Sequence, residues 1–193
     1  NMNVFETSAN GNLHAVKKDF KKSEQHSTVL IDTKKRKQTI IGFGGAFTES
    51  TAHNINLLSP ENRTEIIDAY FGEEGAAYSL TRTHMNSCDF SVANYSYTPV
   101  EGDTALEHFS IEPDRADILP MIKDAQAVSK EGFKIFGSPW SAAPWMKDNN
   151  SYVGGKLKKE FYDTWALFFS KYVDAYRAEG IDIWGFTVEN EPH

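Results

Sequence analysis

The chain has 193 residues, 40% apolar and 24% charged, with a formal net charge of −7, and is long enough to bury a sizeable core. The acidic balance argues against a nucleic-acid binder, which presents a basic patch, and no apolar run approaches the ~20 residues that span a bilayer. The single cysteine, Cys88, excludes an intrachain disulfide and leaves the compartment open.

The charge is unevenly spread. Residues 1–37 carry eight Lys/Arg against four Asp/Glu, about +4, and the remainder is about −11. The clusters "KKDFKK" and "KKRK" supply most of that excess and read as the solvated edge of a β-rich segment. "NVFETS" reads as a strand, "ANGN" as a turn on its Asn-Gly pair, and "STVLID" as a second β-rich run. No signal peptide is visible at "NMNVFETS".

From residue 38 strands and helices alternate. "TIIGFGGAF" reads as a strand buried on both faces. A loop then leads to a helix over "SPENRTEIIDAYF", with Ser59 as N-cap and Pro60 at the first helical position. "AAYSLTRTHM" is a second strand. "EPDRADILPMIKDAQAVSKEG" is a helix with Ile118, Ile122 and Ala125 at helical spacing and Gly132 at its stop. "FKIFGSPW" is a third strand. "KKEFYDTWALFFSKYVDAYRAEG" is an amphipathic helix with Phe161, Trp165, Phe168, Phe169, Tyr172 and Tyr176 on one face, and "IDIWGFTVENEP" is a fourth strand.

Such alternation implies parallel strands with right-handed crossovers. "GFGG" is not the dinucleotide fingerprint, because a loop and a fresh N-cap separate it from the next helix. Each strand carries polar residues just past its C-terminal end, in "TES", "NSCDF", "SPWSAAPW" and "VENEPH". Barrel enzymes build sites there, and so do open α/β sheets. The expected fold class is α/β: the first half, about four βα units, of a (β/α)8 TIM barrel, which needs eight units and roughly 250 residues. The expected division is a β-rich segment over 1–37 and the N-terminal half of a barrel over 38–193.

The chemistry concentrates in the fourth strand. With Trp184, Phe186 and Val188 toward the helices, alternation puts Thr187, Glu189 and Glu191 on the barrel side. Partial desolvation there raises a carboxyl pKa and suits a general acid protonating a leaving oxygen, whereas a strand-end salt bridge is the competing reading. Asn190 offers a donor and an acceptor to a sugar hydroxyl. Trp140 and Trp145 follow the third strand, and indoles stack on pyranose faces; a core or lid role competes, especially for Trp145. Arg82, Asp89 and Phe90 end the second strand. Asp89 can accept from two adjacent hydroxyls, and Arg82 can hold a carboxylate or form an ordinary ion pair. His84, His108 and His193 are not spaced as ligands, so no metal or cofactor is expected. Cys88 reads as a small buried thiol.

The stretches "QTIIGFGGAFTES", "RTHMNSCDFS", "SPWSAAPWMK" and "TVENEP", in this order, resemble glycoside hydrolase family 30, near its glucosylceramidase-like branch. The resemblance covers residues 38–193. It implies a retaining β-glycosidase on a (β/α)8 barrel with a β-sandwich side domain to which residues 1–37 contribute strands. It implies Glu191 as acid/base, Asn190, Asp89 and Trp140 as sugar contacts, and Arg82 as a pocket arginine that supports the nucleophile; Phe90, at the end of the second strand, is a further supporting residue. Glu189 takes no catalytic role. The family's nucleophile, a glutamate on the seventh strand, has no match here. A carbohydrate or glycolipid substrate and the C-terminal half of the barrel, in the same polypeptide or as a second chain, are therefore the expected partners, with a secreted or periplasmic location. Expected substrates are glucosylceramide, simple β-glucosides or β-1,6-glucan, then xylan. The alternative is a non-catalytic sugar-binding or interaction fragment that keeps half a site.

Overall fold

The computed structural model describes residues 5–9, 11–15 and 29–192, and the chain divides into compact units at 1–39 and 40–193. In the first unit, β1 (Phe5–Ser8) and β2 (Gly11–Ala15) form an antiparallel hairpin, Phe5 opposite Ala15 and Ser8 opposite Gly11. Asn10 of the Asn-Gly pair and the "KKDFKK" cluster lie outside the described residues. The expected strand over "STVLID" does not form at residues 29–32, where Val29, Leu30 and Ile31 are exposed. An apolar run without a partner strand gains too little to hold an extended conformation. The "KKRK" cluster is solvated as expected, with Lys35 reaching Asp32 at 3.8 Å.

The second unit runs β3 (Ala46–Phe47), α1 (Glu49–Asn56), α2 (Pro60–Phe71), β4 (Leu80–Met85), α3 (Ile118–Val128), β5 (Lys134–Pro139), α4 (Tyr162–Ala178) and β6 (Ile183–Phe186). The four strands pair in parallel in the order β3-β4-β5-β6. Strand order equal to chain order, with no reversal, is the winding of a barrel and not of a doubly wound sheet.

Two departures from the sequence reading concern the first strand. Only Ala46 and Phe47 join the ladder, while Ile40, Ile41 and Phe43 are exposed rather than buried on both faces. This strand is a sheet edge among the described residues, so no second neighbour covers it. Its backbone still lies close to β4: the Phe43 carbonyl accepts from Ser79 and Leu80, and a Cβ at Gly44 would sit 2.0 Å from the Leu80 carbonyl oxygen. The expected loop before residue 59 also contains a helix, α1, capped by Thr48 Oγ1 accepting from Thr51 N.

The remaining helices follow their patterns. Ser59 caps α2 by accepting from Asn62 N, with Pro60 in the first turn. In α3, Ile118, Leu119, Met121, Ile122 and Ala125 are buried against the sheet; the helix ends at Val128, and Gly132 follows with φ +71°. In α4, Phe168, Tyr172 and Tyr176 recur every fourth residue and are fully buried. Tyr97 stacks on both Phe168 and Tyr172, at 5.9 and 6.0 Å between ring centroids. Beneath this stack lies Asp114, fully buried, whose carboxylate accepts from Tyr95 at 3.0 Å and from Tyr97 and Tyr176 at 2.6 Å each. A buried carboxylate is tolerated because three hydroxyls replace its water.

Candidate active site

The C-terminal ends of β4, β5 and β6 bring three of the sequence-chosen residues into contact. Arg82 in β4 lays its guanidinium over the Trp140 indole, 4.4 Å from the ring centroid. Its Nη2 donates to Asn190 Oδ1 at 2.6 Å. Arg82 Nε is buried and, among the described residues, has no hydrogen-bond partner. The cation is thus held on one face and one nitrogen, with a further donor left over.

Asn190 is placed by the backbone. Past β6 the chain continues beside β5, with Thr187 N donating to the Gly137 carbonyl at 3.0 Å and Asn190 N to the Pro139 carbonyl at 2.8 Å. The regular strand, however, ends at Phe186, and Glu191 takes φ +48°, immediately before Pro192. Strict alternation through residues 187–191 therefore does not hold, and Trp184 and Val188 are exposed instead of packing on helices. Phe186 does meet α4, edge-on to Phe169 at 5.2 Å. A non-glycine residue at positive φ costs about 1–3 kcal/mol, and such strain gathers at functional sites.

Glu191, Asn190 and Glu189 line an open groove of about 580 Å3 together with Trp140, Lys147 and Tyr152. Glu191 is exposed there, not partly desolvated as the strand pattern implied. The desolvated carboxyl is Glu189: burial pushes it up to about 7, against the opposing pull of the Asn190 amide and the Lys147 charge. Lys147 is only 7% exposed, donates to Ser141 Oγ at 2.9 Å, and is itself pushed down by burial. Sequence reading passed over this lysine, although it closes the quoted "SPWSAAPWMK".

Asp89 and Phe90 sit in the exposed turn after β4, outside the groove lining. The carboxylate of Asp89 is near enough to the buried His84 to favour its charged form. Trp145 is a core residue: its indole donates to the Thr98 carbonyl at 2.9 Å and its ring packs edge-on to Phe161. The Cys88 thiol is buried, accepts from Phe90 N at 3.3 Å, and is pushed up by desolvation, which makes it a poor nucleophile.

The arrangement places an aromatic face, a cation, an amide and carboxyl groups together on the side of the parallel sheet where barrel enzymes build their sites. Among described proteins, the mouse (Mus musculus) lysosomal acid glucosylceramidase is 39% identical over 170 residues, covering 85% of this chain and 33% of the mouse protein. An endo-1,6-beta-D-glucanase of Neurospora crassa is 35% identical over 165 residues, covering 81% of this chain and 34% of the fungal enzyme. The crystal structure of SrfJ from Salmonella typhimurium superposes with a TM-score of 0.77 at 36% identity, over 80% of this chain and 35% of SrfJ. The chain thus spans about a third of the length of the relatives it matches. The domain description "Glycosyl hydrolase family 30 TIM-barrel domain" matches residues 40–193. The chain belongs to glycosyl hydrolase family 30, within its TIM-barrel domain.

Proposed function

We propose that this chain carries the acid/base half of a retaining β-glycosidase site acting on β-glucosidic bonds. Glu191 gives its proton to the glycosidic oxygen as the bond from the anomeric carbon to that oxygen breaks. A second carboxylate, contributed by the remaining strands of the barrel, forms the bond to the anomeric carbon. Water then attacks that carbon, Glu191 takes the water's proton, and the enzyme carboxylate is released. Retention requires the two carboxyl groups about 5–5.5 Å apart. Trp140 offers a face to the sugar, Asn190 and Asp89 its hydrogen bonds, and Arg82 and Phe90 support the pocket. Residues 1–37 would belong to a side β-sandwich.

The observation that carries this reading is the contact of Arg82 with both Trp140 and Asn190 at the groove that Glu191 lines. The leftover Arg82 Nε donor supports an acidic partner from the rest of the barrel. The glucosylceramidase and 1,6-glucanase relatives favour a glucosyl unit at the scissile bond. In the barrel completed with its remaining strands, Glu191→Gln should lower kcat on an aryl β-glucoside by about 100-fold or more and leave sugar binding intact. Undiminished turnover would refute the role of Glu191. A completed wild-type barrel that binds sugar without cleaving it would instead identify a binding fragment.

A second reading follows from burial. Burial raises the Glu189 carboxyl to about 7, so its surroundings hold a proton near neutrality. Glu189→Gln in the same assay decides between them, since only the donor's loss removes turnover.

A further inference from the structure

Past the site residues lies a set of hydrogen bonds that joins three separate loops. His84, at the end of β4, is 1% exposed. Its Nε2 accepts from the backbone N–H of Glu49, at the start of α1, at 3.1 Å. A backbone amide can only donate, so Nε2 is unprotonated and the ring proton sits on Nδ1. From there it donates to the Asn86 carbonyl at 2.6 Å. Burial holds His84 below its usual range, which keeps this neutral tautomer in place.

Asn86 extends the chain of contacts. It takes φ +60°, a conformation asparagine tolerates better than most residues. Its side-chain amide donates to the Ser141 carbonyl at 3.0 Å, and its Oδ1 accepts from Tyr97 N at 2.9 Å. Ser141 directly follows Trp140, and the His84 ring stands edge-on to that indole, 6.4 Å between centroids. On the other side, the Glu49 carboxylate accepts from Val92 N at 3.0 Å, and Ser50 N donates to the Phe90 carbonyl at 2.9 Å. The turn carrying Asp89 is therefore tied to the first residues of α1 through Phe90 and Val92, just past Asp89.

We propose that Glu49, His84 and Asn86 form a hydrogen-bonded clamp that fixes the turn carrying Asp89 against the loop carrying Trp140, so that the hydroxyl-binding carboxylate and the stacking indole meet one sugar ring at a set separation. All three are positioning residues, and the proposal rests on the glycosidase reading for its consequence. Sequence alone does not group them, because they lie at different positions along two βα connections.

The test uses the completed barrel, three variants and two measurements. His84→Phe keeps a ring against Trp140 but removes both hydrogen bonds; Glu49→Ala frees Val92 N and leaves the His84 contact, which uses the backbone; His84→Gln keeps one acceptor and one donor. Hydrogen exchange at the Ser50 and Val92 amides reads the clamp itself, and KM for an aryl β-glucoside reads its effect. The first two variants should speed exchange at these amides and raise KM about 10- to 100-fold with a smaller change in kcat. His84→Gln should recover part of that loss. If Glu49→Ala, which perturbs the core least, leaves either measurement unmoved, the clamp is overturned. An inactive wild-type barrel would sink the glycosidase reading alone, and exchange would still decide the clamp.

Discussion

Arg82 rests its guanidinium on the Trp140 indole at 4.4 Å while donating to Asn190, so a single cation orders two of the residues proposed to touch sugar. Lysine keeps the charge but has neither the plane that lies on an indole nor the fork that reaches a second group. Stacking is worth about 1 kcal/mol and a hydrogen bond from a charged group about 1.5–3 kcal/mol. Arg82→Lys should therefore weaken binding of a glucose-configured ligand to the completed barrel by about tenfold or more, as read by calorimetry. Equal affinities would show that Trp140 and Asn190 hold their places unaided.

Asp114 predicts a pH dependence of stability. Burial raises its carboxyl from 3.8 to about 6, although Tyr176, Tyr97 and Tyr95 pull the other way and Glu49 adds slightly to the rise. A folded pKa above the unfolded one means that the native state binds more protons. The contribution is full below 3.8 and is lost as pH climbs through about 6. At about 1.4 kcal/mol per pKa unit the window is worth roughly 3 kcal/mol. Urea titrations should show the chain losing stability between pH 4 and 6.5, with Asp114→Asn flattening that slope. An unchanged slope in the variant would assign the effect to another group.

Local chemistry made much of this readable. The cap of α2 and the apolar spacing of α2, α3 and α4 are short-range signals that locate the helices, although α3 spans Ile118–Val128 and not the whole run from Glu112 to Gly132. The contact of Arg82, inside β4, with Asn190, past β6 and 108 residues away, comes from the parallel pairing of the strands between them. The first and last strands read less well. "TIIGFGGAF" is apolar enough to be buried on both faces, but burial depends on neighbours that a strand's own sequence does not record. Likewise "VENEP" reads as alternation until Glu191 turns to φ +48°, a backbone choice that hydropathy does not record. Helix α1 was hidden by weak patterning, since only Ala52 and Ile55 of its eight residues are buried.

Glu189 should titrate near neutrality. Its pKa is raised by burial, with the Asn190 amide and Lys147 opposing. The sign is that of Asp114: a stabilising share present below 4.5 and lost as pH rises through about 7. Carbon-13 NMR of the side-chain carboxyl should give a midpoint near 7 for Glu189, and Lys147→Met should move it higher by removing the nearby cation. A midpoint at the ordinary carboxylate value, or one indifferent to Lys147, would mean that water reaches this group freely.

The edges of the sheet bear on association. Among the described residues β3 and β6 each have a neighbour on one side only. Beside them Phe43 is 71% and Val188 82% exposed, with Ile40, Ile41 and Trp184 also open to solvent. Unpaired strand groups next to exposed apolar side chains template further pairing. The isolated 193-residue chain should therefore self-associate at micromolar concentration in size-exclusion chromatography with light scattering. Phe43→Lys and Val188→Lys together should shift it toward monomer, because a charge on an edge opposes strand addition. Adding the remaining strands of the barrel should do the same for the unmodified chain by covering both edges at once. A stable monomer of the unmodified chain under these conditions would show that residues 40–193 satisfy their own edges.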